Sequence, residues 1–203
     1  FLNLAIKYFI SHYKIDMSEY SETSFKSFNQ FFTRTLKNGV RKIDKDPQKI
    51  ISPVDGFIGS FGQIENDTLI QAKGINYSLR NLVINHDYEK IFKDGNYITL
   101  YLSPKNYHRI HSPIDGFIHE MFYIPGTLYP VNNLAVSNIP SLFTRNERLI
   151  TLLKHEKLGS VAVIKVGATI VGKIKVKYDS TESNVKPKII HKKYEPIFSK
   201  KGE

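Results

Sequence analysis

The sequence predicts an α+β fold, with N-terminal amphipathic helices on a mostly antiparallel β body built from two related β units. Three observations predict it. Apolar side chains recur at helical spacing near the start, the chain after residue 50 alternates short β-rich runs with turn residues, and one seven-residue phrase occurs twice. The expected division is a helical segment over 1–45 and a single β-rich body over 46–203.

The first helix is expected in "FLNLAIKYFISHYKIDMSEY". Phe1, Leu2, Ala5, Ile6, Phe9, Ile10 and Tyr13 form its apolar side, with Lys7, His12 and Lys14 mainly opposite. Such a helix packs on a core or lies in a membrane interface with its lysines at headgroup level. A second, short helix is expected at "SFKSFNQFFTRTL", capped by Ser24 or Ser27, with Phe25, Phe28, Phe31 and Phe32 as its stripe. Strands follow in "GFIGSFGQI", "TLIQAKG", "NYITLYLSP" and "GFIHEMFYIPG", and "GSVAVIKVGATIVGKIKVKY" reads as long strands bent at glycines. One helix interrupts them near "YSLRNLVINHDYEKIF".

The repeat is Ser52-Pro53-Val54-Asp55-Gly56-Phe57-Ile58, which returns 60 positions on as Ser112-Pro113-Ile114-Asp115-Gly116-Phe117-Ile118. Proline presets φ at the turn entry, and Asp-Gly supplies an acceptor and a residue free to take positive φ. Two copies imply two related β units whose turns lie near a common axis. Asp115 is read as structural.

Composition narrows the chemistry. The chain has 203 residues and no cysteine, which excludes disulfides, cysteine-ligated zinc and a thiol nucleophile within it. No apolar run reaches the ~18 residues of a membrane span. The start at Phe1 carries the expectation of a further segment upstream. Lys and Arg exceed Asp and Glu by 29 to 19, a net charge of +10 that suits an anionic partner, nucleic acid or acidic lipid, or else a solvated lysine-rich face. The basic residues are densest in "KIKVKYDS" and "KPKIIHKKYEP".

Two of the seven histidines stand three apart in "YHRIHSP", beside the second copy of the turn. On spacing alone His108 and His111 permit a metal site, for which ligands are short, a structural role at a strand end, or acid–base chemistry with a carboxylate orienting the imidazole. The repeated turn would bring Asp55 towards His111. Composition leaves the three readings open.

The phrase "YLSPKNYHRIHSPIDG" resembles the signature segment of phosphatidylserine decarboxylases. The likeness extends through "FNQFFTRTL", "SPVDGFI", "QAKGINYSL", "PGTLYPVN", "NIPSLFTRNER" and "VGATIVGKI", in the family's order, from about residue 20 to the end. The resemblance implies a carboxy-lyase that converts phosphatidylserine to phosphatidylethanolamine and CO2. It also implies the family's cofactor, a pyruvoyl group made when a serine attacks the preceding carbonyl and the chain splits; its carbonyl forms a Schiff base with the substrate amine and takes up the electrons. Self-cleavage needs a hydroxyl, a base and an orienting acid. By position in the motifs, Asp55 and His111 correspond to the acid and base, and His108 to the residue acting as acid or base in decarboxylation. No metal is implied.

The family's cleavage phrase, Leu-Gly-Ser followed by Ser or Thr, is expected after Glu203. The internal Leu158-Gly159-Ser160 and Gly59-Ser60 are read as structural. The chain is therefore expected to be most of the larger, β fragment of a processed proenzyme, with the pyruvoyl on a separate α fragment. Expected partners are that α fragment, phosphatidylserine, an anionic membrane surface reached through the N-terminal helix, and a second copy in a homodimer. The expected location is peripheral, on a bacterial inner membrane or a mitochondrial or endomembrane. The alternative is a non-catalytic, anionic-lipid-binding relative of the same fold. A nucleic-acid partner is not expected, because no stacking or glycine-rich phosphate motif accompanies the charge.

Overall fold

A computed structural model of the protein describes residues 1–72, 74–185 and 188–203. Lys73, within "QAKGINYSL", and Lys186 and Pro187, which open "KPKIIHKKYEP", lie outside the described residues. The chain divides into two compact units: Phe1–Phe57, Leu100–Asp115 and Lys200–Glu203 form the first, and Ile58–Thr99 with Gly116–Ser199 form the second.

The first unit opens with helix α1 (Leu2–Tyr13), stopped by Lys14 in the left-handed region at φ 51°. Helix α2 (Phe28–Phe32) is capped by Ser27, whose Oγ accepts from Gln30 N at 3.1 Å, while the Gln30 side chain accepts from Lys26 N at 2.7 Å. This is close to the reciprocal arrangement of a capping box. Ile6 packs with Phe25 and Phe31, joined by Leu2, Phe9, Ile10 and Phe28, so the expected apolar side of α1 faces a core. Phe1, Leu4 and Tyr8 remain exposed, so Phe1 leaves that side and Leu4 and Tyr8 form a second apolar ridge. Among the described residues no helix is long and apolar enough to cross a membrane.

The second unit holds most of the strand residues. Strand β1 (Phe57–Gln63) pairs with β4 (Asn96–Tyr101), and β2 (Thr68–Ala72) forms a hairpin with β3 (Ile75–Ser78). Between β3 and β4 the expected single helix is two: α3 (Leu79–Val83) and α4 (His86–Phe92). Ile84 takes φ 45° and ends α3, its N–H bonded to Arg80 O, and the Asn85 side chain accepts from Asp87 N and Tyr88 N and caps α4. Strand β5 (Gly116–Ile124) follows, then α5 (Asn133–Asn138), α6 (Leu142–Arg145), β6 (Arg148–His155), β7 (Gly159–Val166), β8 (Lys175–Val176), β9 (Asp179–Glu182) and β10 (Ile190–Ser199). The main sheet runs β10–β5–β6–β7, with each neighbouring pair antiparallel. "GSVAVIKVGATIVGKIKVKY" yields one long strand and a two-residue one. Ala168 and Val171 exchange backbone hydrogen bonds and turn the chain after β7.

Period-two alternation on β5 and β6 sends Phe122, Ile124, Ile150 and Leu152 to one face, where they bury against Leu79, Leu82, Val83 and Tyr88. Met121 and Leu149 go to the other face, against Ile174. Each such side chain contributes about 1.5–3 kcal/mol relative to exposure. The buried phrase Asn146-Glu147-Arg148 serves the fold. Glu147 accepts from Tyr123, Ser183 and Asn184, and Arg148 donates to Asn81 O, Leu82 O and Thr144 O.

Candidate active site

The two copies of the turn meet within the first unit. Ser52 Oγ donates to Val54 O at 2.7 Å and Ser112 Oγ to Ile114 O at 2.8 Å, so both copies close with the same bond. Their backbones pair reciprocally: Ile51 N donates to Pro113 O at 3.0 Å and His111 N to Pro53 O at 2.9 Å. Residue for residue this is a local two-fold, as the repeat implied. Gly56 has no positive φ. Glycine is required there because a Cβ would stand 2.7 Å from Tyr101 O.

The histidines sit on the loop after the turn Ser103-Pro104-Lys105-Asn106, in which Asn106 N donates to Ser103 O at 2.9 Å and Asn106 Oδ1 accepts from Ser103 N and Oγ. α2 and the residues after it support this loop. The ring of Phe32 lies 4.0 Å from that of His108, and Arg109 Nε donates to Thr33 O at 2.8 Å. Arg34, fully buried, donates to Lys105 O at 3.0 Å and to Tyr20 Oη at 3.0 Å, with its guanidinium 4.2 Å from the Tyr20 ring centre. Thus "FNQFFTRTL" and "YHRIHSP", far apart in sequence, are one local structure.

His108 donates Nδ1–H to Asn106 O at 2.8 Å, and its Nε2 makes no hydrogen bond among the described residues. Burial, opposed by the Asn106 bond and aided by the charge of Arg34, pushes its pKa below the usual imidazole value. The ring is therefore neutral near pH 7, with one nitrogen free to take a proton. His111 places Nδ1 3.0 Å from Gly202 O and Nε2 2.9 Å from the Tyr107 hydroxyl. A carbonyl only accepts, so the neutral ring carries its proton on Nδ1 and presents the Nε2 lone pair to Tyr107.

Asp55 lies in the neighbouring turn, but its carboxylate is engaged elsewhere. Arg41 Nε donates to Oδ2 at 2.8 Å, and the same guanidinium forks onto Glu19 at 2.9 and 2.8 Å. These bonds hold the Glu19 carboxyl below its usual range and raise that of Arg41. Asp55 and His111 share no hydrogen bond. Asp55 opens onto a cavity of about 240 Å³ lined by Lys14, Asp16, Glu19, Arg41, Lys105 and Tyr107 among others. The remaining sequence candidates are structural: Asp115 Oδ1 accepts from Lys201 N at 2.8 Å, Gly159 turns the β6–β7 hairpin at φ 75°, and Ser60 Oγ donates to Ile70 O at 2.8 Å. Among the described residues no three His, Asp or Glu side chains group to hold a metal.

Sequence reasoning missed Arg41, Arg34 and Tyr107. Tyr107 had a signal, because it stands four residues before His111 in the quoted phrase. Arg41 had none, since its two carboxylates come from distant positions.

Fold and site define an α+β chain with a histidine pair on a braced loop and a carboxylate in the neighbouring turn. Residues 28–203 match the family model described as phosphatidylserine decarboxylase, and the chain belongs to that family. It is 46% identical over 182 residues to the phosphatidylserine decarboxylase proenzyme of Escherichia coli (strain 55989 / EAEC), an alignment covering 88% of this chain and 56% of the relative. The proenzyme of the same name from Escherichia fergusonii matches with the same identity and coverage. The chain thus spans about half the length of the curated relatives it matches.

Proposed function

We propose that these residues belong to the larger, β part of a phosphatidylserine decarboxylase that forms phosphatidylethanolamine and CO2 after serine-dependent self-cleavage. The observation that carries the reading is the placing of two imidazoles on one braced loop, His111 with Nε2 turned to the Tyr107 hydroxyl and His108 with an unpartnered Nε2. Family membership and the word proenzyme in the relatives' names support it.

In this reading His111 is the base that takes the proton of a serine hydroxyl, Asp55 is the acid that orients it once released from the Arg41 clasp, and His108 carries a proton in decarboxylation. The serine belongs to the partner α fragment, which carries the pyruvoyl. That group supplies an electron-accepting carbonyl. The residues present fit it: His108, neutral and tied at Nδ1, can hold or deliver a proton at Nε2 beside such a carbonyl. The exposed Phe1, Leu4 and Tyr8 of α1 and the net charge of +10 favour docking on an anionic membrane surface, where phosphatidylserine resides. A homodimer and a peripheral membrane location complete the reading.

The clasp of Asp55 by Arg41 is the observation that favours the alternative, a lipid-binding relative without catalysis. Intact mass of the full-length protein, followed by CO2 release from phosphatidylserine vesicles, decides between them. Two fragments, the smaller with a blocked N-terminus, and CO2 evolution are expected. A folded, uncleaved and inactive protein that binds the vesicles supports the alternative.

A further inference from the structure

Among the described residues Tyr107 is the side chain that both lines the cavity beside Asp55 and touches the reactive edge of His111. It is 4% exposed, its ring lies nearly parallel to the imidazole at 5.5 Å and 21°, and its hydroxyl is 2.9 Å from Nε2. Resting on the proposed function, we infer that Tyr107 is a positioning residue of the self-cleavage step, holding His111 in the Nδ1–H tautomer with Nε2 aimed where a serine hydroxyl takes over.

A neutral imidazole has two tautomers, and here both of its nitrogens meet a partner. Gly202 O selects the proton on Nδ1, since the other tautomer would face two lone pairs at each other. The Tyr107 O–H selects the lone pair on Nε2 from the other side. Burial foremost, opposed by the charge of Arg109 and aided by that of Asp55, raises the pKa of the Tyr107 phenol, which stays a donor. The stacked rings also fix the imidazole plane. A serine hydroxyl approaching Nε2 then replaces one O–H donor by another, with no rotation of the base and no change of tautomer before the proton moves. Tyr107 itself neither accepts that proton nor contacts the scissile bond.

The test is made in the full-length protein, with two readouts. Nitrogen-15 NMR of the imidazoles, with His111→Ala for assignment, is expected to show the Nδ1–H pattern for His111 in the wild type with Nε2 hydrogen-bonded, and in Tyr107→Phe an Nε2 signal moved to the position of an unbonded lone pair, with Nδ1–H still held by Gly202 O. Self-cleavage, followed by intact mass, is expected to slow about fivefold to tenfold in Tyr107→Phe, the scale of one lost hydrogen bond. Tyr107→Leu, which also removes the stacked ring, should slow it further. Tyr20→Phe loses another buried phenol hydroxyl that does not touch His111, and should leave the His111 signature unchanged. A Tyr107→Phe protein with the wild-type His111 signature and cleavage rate overturns the inference alone. Cleavage at full rate in His111→Ala removes the base itself, and the role of Tyr107 with it.

Discussion

Arg41 clasps Asp55, its Nε donating to Oδ2 at 2.8 Å, and so holds the carboxylate on the side of Glu19 rather than His111. The three side chains are each about a third exposed, and such pairs contribute about 1 kcal/mol or less to stability. Arg41→Met should therefore lower the thermal midpoint little. If the clasp only parks Asp55, self-cleavage in this variant runs at least as fast as in the wild type. A cleavage block with an unchanged midpoint would make Arg41 part of the machinery.

The two histidines should separate by assay. His111→Ala is expected to stay uncleaved, and Asp55→Asn to cleave slower by a factor on the order of 100 or more, as loss of a general base or its orienting acid implies. His108→Ala should cleave normally yet release CO2 on the order of 100-fold more slowly. Time courses of intact mass and CO2 release check the pair. Normal cleavage in His111→Ala, or wild-type turnover in His108→Ala, would reverse the assignment.

Lys165 predicts a pH dependence unrelated to the site. It is buried on β7, donates to Thr151 Oγ1 at 2.5 Å and to Val163 O at 3.3 Å, and burial lowers its pKa to about 7. The unfolded value is about 10.4, so between these pH values the unfolded chain holds the extra proton and stability rises with pH. At and below pH 7 both states are charged and the buried cation costs most. Lys165→Met should stabilise the protein most at or below pH 7, with the gain shrinking by about pH 10. Denaturant midpoints across that range read it, and a pH-independent gain would contradict the assigned cause.

The duplicated turn offers an internal comparison. The bond from Ser112 Oγ is buried while that from Ser52 Oγ is exposed. Ser112→Ala leaves a buried carbonyl short of a donor and should cost about 1–2 kcal/mol, against about 0.5 kcal/mol or less for Ser52→Ala. Equal losses would mean that solvent reaches both turns alike.

Much of this was legible in the residues. The helix stripe of Ile6, Phe9 and Ile10, the Ser27 cap, the strands at Phe57–Gln63 and Gly116–Ile124, and the two turns all rest on local periodicity or φ preference, which a short window contains. The paired histidines and the family were readable because they are phrases in the chain. Strands β6 and β10 escaped. Arg148–His155 is buried almost throughout, so the alternation that marks a strand is missing, and Ile190–Ser199 carries lysines that read as a charged tail. The break at Ile84 depended on a single asparagine cap. Beyond these, partners were decided only by folding: that Phe32 lies on His108, that Arg34 braces the carbonyls of Lys105 and Asn106, and that Tyr107, rather than Asp55, touches His111. Periodicity determines which face a residue takes. Which atom meets which across tens of residues is set by how the faces pack, and a hydrogen bond of about 3 Å records that packing.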